Sequence, residues 1–285
     1  MIKPAELIDV RLPPELTLAD RRTFNTLLWN AWGRIGEPGA EHAIALSELK
    51  GLHTGSSDRV AATIRRLMSS IIEVRTTGRR GQPITRRAQM LGGNDMDDED
   101  RGRGILAYTF DPRLVSIIRN STTWSQLRKR VMAAFSSKYA LALYELGERR
   151  INLWKYQEDM ALTELRAKLG VRDGHYPRFS SLSQWVIKPA VAEVNALAVD
   201  FVIQVVPIRR GGVITGVRLN WSRKSEGDRQ EASAEINRAR CGRRSRVAEV
   251  SKRLTEREIA LRQAILESLR IVVEAERLDD AIPDF

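Results

Sequence analysis

A mainly helical chain with small β-sheets, built as two tandem units and a helical tail, is the fold predicted from sequence, and three observations predict it. First, the apolar period changes within Phe135 to Trp221. Val186, Ala190, Val194 and Leu197 recur on one helix face, whereas Phe201, Ile203 and Val205 alternate with their neighbours as strand residues do. Second, the order helix, short helix, helix, hairpin occurs twice, over residues 16–133 and again over 134–222. Third, the chain turns highly charged after Trp221. Residues 1–222 hold 33 basic and 23 acidic side chains and residues 223–285 hold 14 and 13, so the net charge of +11 belongs mainly to the tandem part. Three helices and a hairpin make a winged helix, whose last helix enters the DNA major groove while the hairpin tip reaches phosphates.

Within the first unit, residues 1–15 contain Pro4, Pro13 and Pro14 and are expected to be an extended arm. Thr17-Leu18-Ala19-Asp20 caps a helix carrying Phe24, Leu27, Leu28, Ala31 and Ile35, which Gly33 and Gly36 end. A short helix over Leu46 to Gly51 follows. Gly55 to Asp58 then turns into a third helix, with Val60, Ile64, Leu67, Met68 and Ile71 toward a core and Arg59, Ala62, Arg66 and Ser69 facing away. Ile72–Thr76 and Ile105–Phe110 are the strand-like runs expected to pair as its wing. Between them, the insertion 78–104 has six arginines and five acidic residues and is expected to be a mobile, solvated loop. Another helix is expected over Pro112 to Asn120, and Arg128-Lys129-Arg130 is a candidate backbone contact.

The second unit opens with Ser136-Ser137 capping a helix through Tyr139, Leu141, Leu143, Tyr144 and Leu146, expected to end near Gly147 to Arg150. Leu162 to Leu165 starts a short helix that Gly170 stops, and a turn with Gly174 and Pro177 leads into the helix from Ser180. Gln184, Lys188, Val191 and Asn195 line its outer face. Gln reads adenine bidentately and Ser reaches base edges or phosphate. Trp185, at the border of the apolar face, is expected to pack, and Pro189 to kink the helix. Arg209-Arg210-Gly211-Gly212 turns the wing into Val213–Leu219. The candidate DNA-binding set is therefore Arg59, Arg66, Arg178, Ser180, Ser183, Gln184, Lys188, Arg209 and Arg210. Residues 223–246 are expected to be a solvated linker before a C-terminal helix carrying Val250, Leu254, Leu261, Ile265 and Leu269.

Composition narrows the function classes. A basic chain attracts polyanions with salt-dependent affinity. A membrane is disfavoured because no stretch approaches 18 consecutive apolar residues and no signal peptide opens the chain, so the expected place is the cytoplasm. Cys241 is the single cysteine, which forbids an intramolecular disulfide and any multi-Cys metal site. His42, His53 and His175 stand apart, and no phosphate-cradling Gly-x-x-x-x-Gly-Lys loop occurs, so neither an enzyme, a metal nor a cofactor is expected.

Three segments carry a more specific signal: Phe135 to Leu146 with its Lys138-Tyr139-Ala140 opening, Leu162 to Gly170, and Trp185 to Asn195 with Val186-Ile187-Lys188-Pro189-Ala190. Over Leu16 to Trp221 the chain resembles the initiator Rep proteins of iteron-containing plasmids. The resemblance implies a two-domain initiator that binds repeated origin sequences in double-stranded DNA, helps open the origin and recruits host replication proteins such as an initiator or helicase. It also implies autorepression by a homodimer joined through the first winged helix. Relatives often begin the reading helix with several arginines, where this chain has Ser180 to Gln184. Arg178 and Lys188 become the stronger candidates for guanine or phosphate. Two alternatives stay open: a winged-helix transcriptional regulator, favoured by a footprint on one short palindrome, and a protein-interaction scaffold, favoured by salt-insensitive DNA affinity.

Overall fold

The computed structural model describes residues 1–285 apart from 38, 54–56, 79, 98–103, 154–155 and 280–285. Gly55, Ser56, Arg79 and the acidic run at 98–100 therefore lie outside the described residues. Two hydrophobic cores form, one drawing on Leu7 to Ile118 and one on Leu127 to Val247.

The first 15 residues are a strap between these cores rather than a projecting arm. Strand β1 (Ile2–Pro4) is extended and later finds an antiparallel partner, and Leu7, Ile8 and Val10 are buried. Their apolar side chains cannot stay in water when two cores flank them. Helix α1 (Leu18–Asn30) has a complete capping box: Thr17 accepts from the Asp20 amide at 3.2 Å and the Asp20 carboxylate accepts from the Thr17 amide at 2.7 Å. Strand β2 (His42–Ala45), α2 (Leu46–Lys50) and α3 (Ser57–Ser69) follow, with Val60, Ile64 and Leu67 of α3 buried as their spacing predicts.

The expected pairing of Ile72–Thr76 with Ile105–Phe110 does not form. Strand β3 (Ile71–Thr77) pairs with β4 (Pro83–Gln89), inside the arginine-rich insertion. The Gly78 amide donates to the Gln82 carbonyl at 2.8 Å to close that hairpin, with Gly81 at φ +80°, a far shorter return than one from residue 105 requires. Ala88, Met90 and Leu91 anchor its end in the core. Strand β5 (Asn94–Met96) pairs with β6 (Ile105–Tyr108), which also pairs with β2. The described part of 78–104 is thus built into two sheets, not a solvated loop. Helix α4 (Pro112–Arg119) is capped by Asp111, β7 (Trp124–Gln126) pairs with β1, and α5 (Lys129–Ala134) leads to the second unit.

Helix α6 (Lys138–Ile151) is capped by Ser137, runs through Gly147 and ends one residue past the expected Gly147 to Arg150. Glycine at 147 serves packing: a Cβ would lie 2.3 Å from the Phe201 ring. Strand β8 (Gln157–Ala161), α7 (Leu162–Leu169) and α8 (Phe179–Leu182) precede a π-helical turn (Ser183–Ile187) and α9 (Lys188–Leu197). Strands β9 (Phe201–Arg210) and β10 (Val213–Arg223) complete a sheet of order β8-β10-β9.

Residues 223–246 are not a solvated linker. Ser225 caps α10 (Glu226–Asn237), and the buried Glu235 carboxylate receives Arg243 at 3.3 Å and Arg246 at 2.9 Å. These arginines are matched by an acid, which composition counts but does not place. Helix α11 (Arg243–Asp279) lies on α9, with Val247 in the second core, Val250 packed against it and Leu254 buried. The side chains of Leu261, Ile265 and Leu269 lie outside the described ones.

The two units are locked together by polar groups from α1, α6 and the strap. Lys3 donates to Glu145 at 2.8 Å and to Asn25 at 3.1 Å, and Asn25 donates to the other Glu145 oxygen at 2.8 Å, all three buried. Arg21 donates to the Lys138 and Leu169 carbonyls at 2.8 and 3.0 Å, and burial pulls its pKa down to about 10. Gly170, at φ +67°, leaves the space this guanidinium needs, since a Cβ there would lie 2.3 Å from its nitrogen. Lys138 answers by donating to the Pro14 and Leu16 carbonyls at 2.7 and 3.2 Å.

Candidate nucleic-acid interface

The sequence from Phe179 to Leu197 folds as one helical rod because Leu182, Val186, Ile187, Ala190, Val194 and Leu197 all turn into the second core. Pro189 lacks an amide hydrogen, so an α-turn across it would leave a carbonyl without its partner. The chain widens instead into the π turn, where the Lys188 amide bonds the Ser183 carbonyl five residues back. The departure from α geometry that Pro189 was expected to cause takes the form of this π turn over Ser183–Ile187. Outward from this rod stand Ser180, Gln184, Trp185 and Lys188, all exposed, with Ser183 half-buried and Arg178 exposed at the N-cap.

Trp185 departs from expectation. It is 61% exposed, not packed, since the π turn advances less per residue than an α-turn and carries the indole away from the apolar side. Asn195 departs the other way. Fully buried, it donates to the Ile203 carbonyl at 3.0 Å and accepts from the Ile203 amide at 2.8 Å, pinning the helix end to the first wing strand. Helical spacing aligned it with Gln184 and Lys188, but the core closes over that end of the rod. Asn195→Ala is expected to cost about 2 kcal/mol of stability by orphaning two buried backbone groups. Urea unfolding measures it, and a lost DNA preference with unchanged stability would refute the structural role.

Other contacts fix the rod's direction. Glu193 accepts from the Ser136 and Ser137 amides at 2.9 and 3.2 Å, so the start of α6 is tied to it. Lys224 donates to the Asn195 carbonyl and, at 2.7 Å, to that of Ala198, and burial pushes its pKa down to about 8. Before the rod, Tyr176 adopts φ +51°, and Arg166 donates to the Tyr176 carbonyl at 3.0 Å to hold that turn.

The wing turns at Gly211 and Gly212, whose φ values of +57° and +81° are those a two-residue primed turn requires. Arg209 and Arg210 are exposed beside it. A register shift between Ile214 and Gly216 bends β10, and Gly216 is needed there because a Cβ would sit 2.7 Å from the Met160 carbonyl oxygen.

The first unit presents its basic residues differently from expectation. Arg59 is exposed near the start of α3. Arg66 is not a free outward cation: it donates to both oxygens of buried Asp20, at 3.0 and 2.8 Å, beside the Thr63 hydroxyl bond to Asp20 at 2.6 Å. Burial alone would raise the Asp20 pKa, but the hydrogen bonds from Arg66, Thr63 and Thr17 hold it below its ordinary value. The β3–β4 hairpin was missed as a basic element. Arg75 and Arg80 are exposed on it, while Arg86 donates to Ser116 at 3.2 Å and Arg87 pairs with Glu73 at 2.6 Å.

Buried Glu148 lies in α6, where burial above all pushes its pKa up to about 7; Tyr144 and Arg128 offset this in part and Asp200 adds to it. The described residues contain no group of three His, Cys, Asp or Glu side chains placed to hold a metal ion, and no helix long and apolar enough to cross a membrane.

No curated protein matches the chain. Among solved structures, the crystal structure of domains 2 and 3 of RctB, as SeMet derivatives, is similar at 13% identity and a TM-score of 0.45, covering 74% of this chain and 84% of that chain. The "Initiator Replication protein, WH1" model matches residues 1–148, more than half of the chain, and "Initiator Rep protein, WH2" matches residues 161–221. The second match runs from the last residue of β8 through α7, the outward rod and β9 to Trp221 in β10. The chain belongs to the initiator Rep protein family, the winged-helix DNA-binding initiators of plasmid replication.

Proposed function

We propose that the chain initiates plasmid replication by binding repeated origin sequences in duplex DNA, with the second winged helix, residues 134–222, as the main sequence reader. The observation that carries this reading is the exposed row Ser180, Gln184 and Lys188 on a rod braced from behind, with Arg209 and Arg210 at the wing tip. In the proposed pose the row reads base edges in the major groove, while Arg178, Arg209 and Arg210 bond phosphates or guanine and Ser183 supports the row. Residues 16–133 supply backbone contacts through Arg59 and the β3–β4 hairpin, and a dimer contact for autorepression. Arg66 supports that unit through Asp20.

Action is by binding and deformation, without hydrolysis by the chain itself; host replication proteins in the bacterial cytoplasm then load on the opened origin. Two reading heads on one polypeptide gain affinity because the second docks nearly intramolecularly.

The test is footprinting on DNA flanking the gene. Protection of tandem repeats is expected; protection of one short palindrome alone would favour a transcriptional regulator. Gln184→Ala or Lys188→Ala should cost about 1–3 kcal/mol at the specific site. Arg209→Ala with Arg210→Ala should weaken all sequences alike and reduce the salt slope by about 2. Unchanged discrimination in the first pair moves the reading elsewhere.

A further inference from the structure

Trp185 has the most exposed indole, phenol or phenyl ring among the described residues, at 61%. Beside it on the rod Gln184, Lys188 and Pro189 are exposed, and Leu182, Val186 and Ile187 turn into the core. An aromatic ring standing in water on the proposed groove-facing side of a helix gains by covering an apolar surface there. Within a DNA major groove the main apolar group on a base edge is the thymine C5 methyl. Phosphates, the other abundant surface, offer an indole face nothing apolar.

We propose that Trp185 is a specificity residue whose indole covers the C5 methyl of one thymine, next to the bases reached by Gln184 and Lys188. The inference rests on the proposed DNA-reading role of this rod and adds to it a base identity that hydrogen-bonding side chains do not supply. Thymine and uracil present the same hydrogen-bonding edge, so methyl recognition has its own signature.

The experiment selects bound duplexes from a random pool with the full chain, then replaces each thymine of the selected site by deoxyuridine, one at a time. For the unaltered protein, one substitution should weaken binding about fourfold, the burial of a single methyl, and the rest should have little effect. Trp185→Ala should weaken the thymine duplex about tenfold, the ring's lost burial, and show no further loss with uracil at that same position. Trp185→Gln repeats the test with a side chain suited to an exposed helix position, should the Ala variant melt at a lower temperature.

A uracil penalty as large in the variants as in the unaltered protein overturns the proposal. So does undiminished binding by Trp185→Ala where Lys188→Ala binds weakly, a result that leaves the reading role of the rod standing. Failure of any sequence to be selected overturns both.

Discussion

Glu145→Ala is expected to destabilise the chain by about 3–5 kcal/mol, because removing one partner of a buried ion pair strands the other charge. Lys3 has no route to water once the strap is docked, and Asn25 loses its acceptor at the same stroke. Lys3→Met combined with Glu145→Gln should recover most of the loss, since it removes the stranded charge and keeps an acceptor for Asn25. Urea midpoints for the three proteins decide this. A loss below about 1 kcal/mol for Glu145→Ala would mean that the pair is solvated in solution and does not lock the units.

Glu148→Gln is expected to act in the opposite direction, by an amount that grows as pH rises from about 5 to 7 and is then complete. The folded pKa of about 7 lies above that of an exposed glutamate, so burial of this group favours folding while it is protonated. That contribution is complete below the unfolded pKa and is lost as pH rises through about 7. Glutamine keeps the neutral shape at every pH. The variant should therefore gain roughly 3 kcal/mol at pH 8 and no more than about 1 kcal/mol at pH 5. Equal gains at both pH values would place the effect in packing, not in ionisation.

The second unit was largely legible because its signals are local. Ser137, Gly170, Gly211 and Gly212 each impose a backbone state by their own chemistry, and the change of apolar period marks the passage from rod to wing. Lys138, Tyr144 and Pro189 then carried a family pattern. What escaped depended on partners distant in the chain. Nothing near Arg66 reveals that Asp20, 46 residues earlier, claims its guanidinium. Asn195 sits at outward spacing and yet bonds a strand residue eight positions on. Strand β4 was hidden by its arginines, since alternation with only Ala88 fully buried reads as a polar loop. Trp185 escapes α-spacing because it sits within a π turn. Polar composition after Trp221 likewise concealed α10, where Arg243 and Arg246 converge on one buried acid.

The seating of α11 against the back of the reading rod has a practical consequence. Val247 belongs to the same core as Val194 and Leu197 and Val250 packs against it, although the tail lies beyond both matched family segments. A fragment cut after residue 222, the natural choice for a minimal reading head, would bare a greasy scar along that rod. Such a preparation should clump and melt early, and would be a poor stand-in for the whole polypeptide in any binding assay.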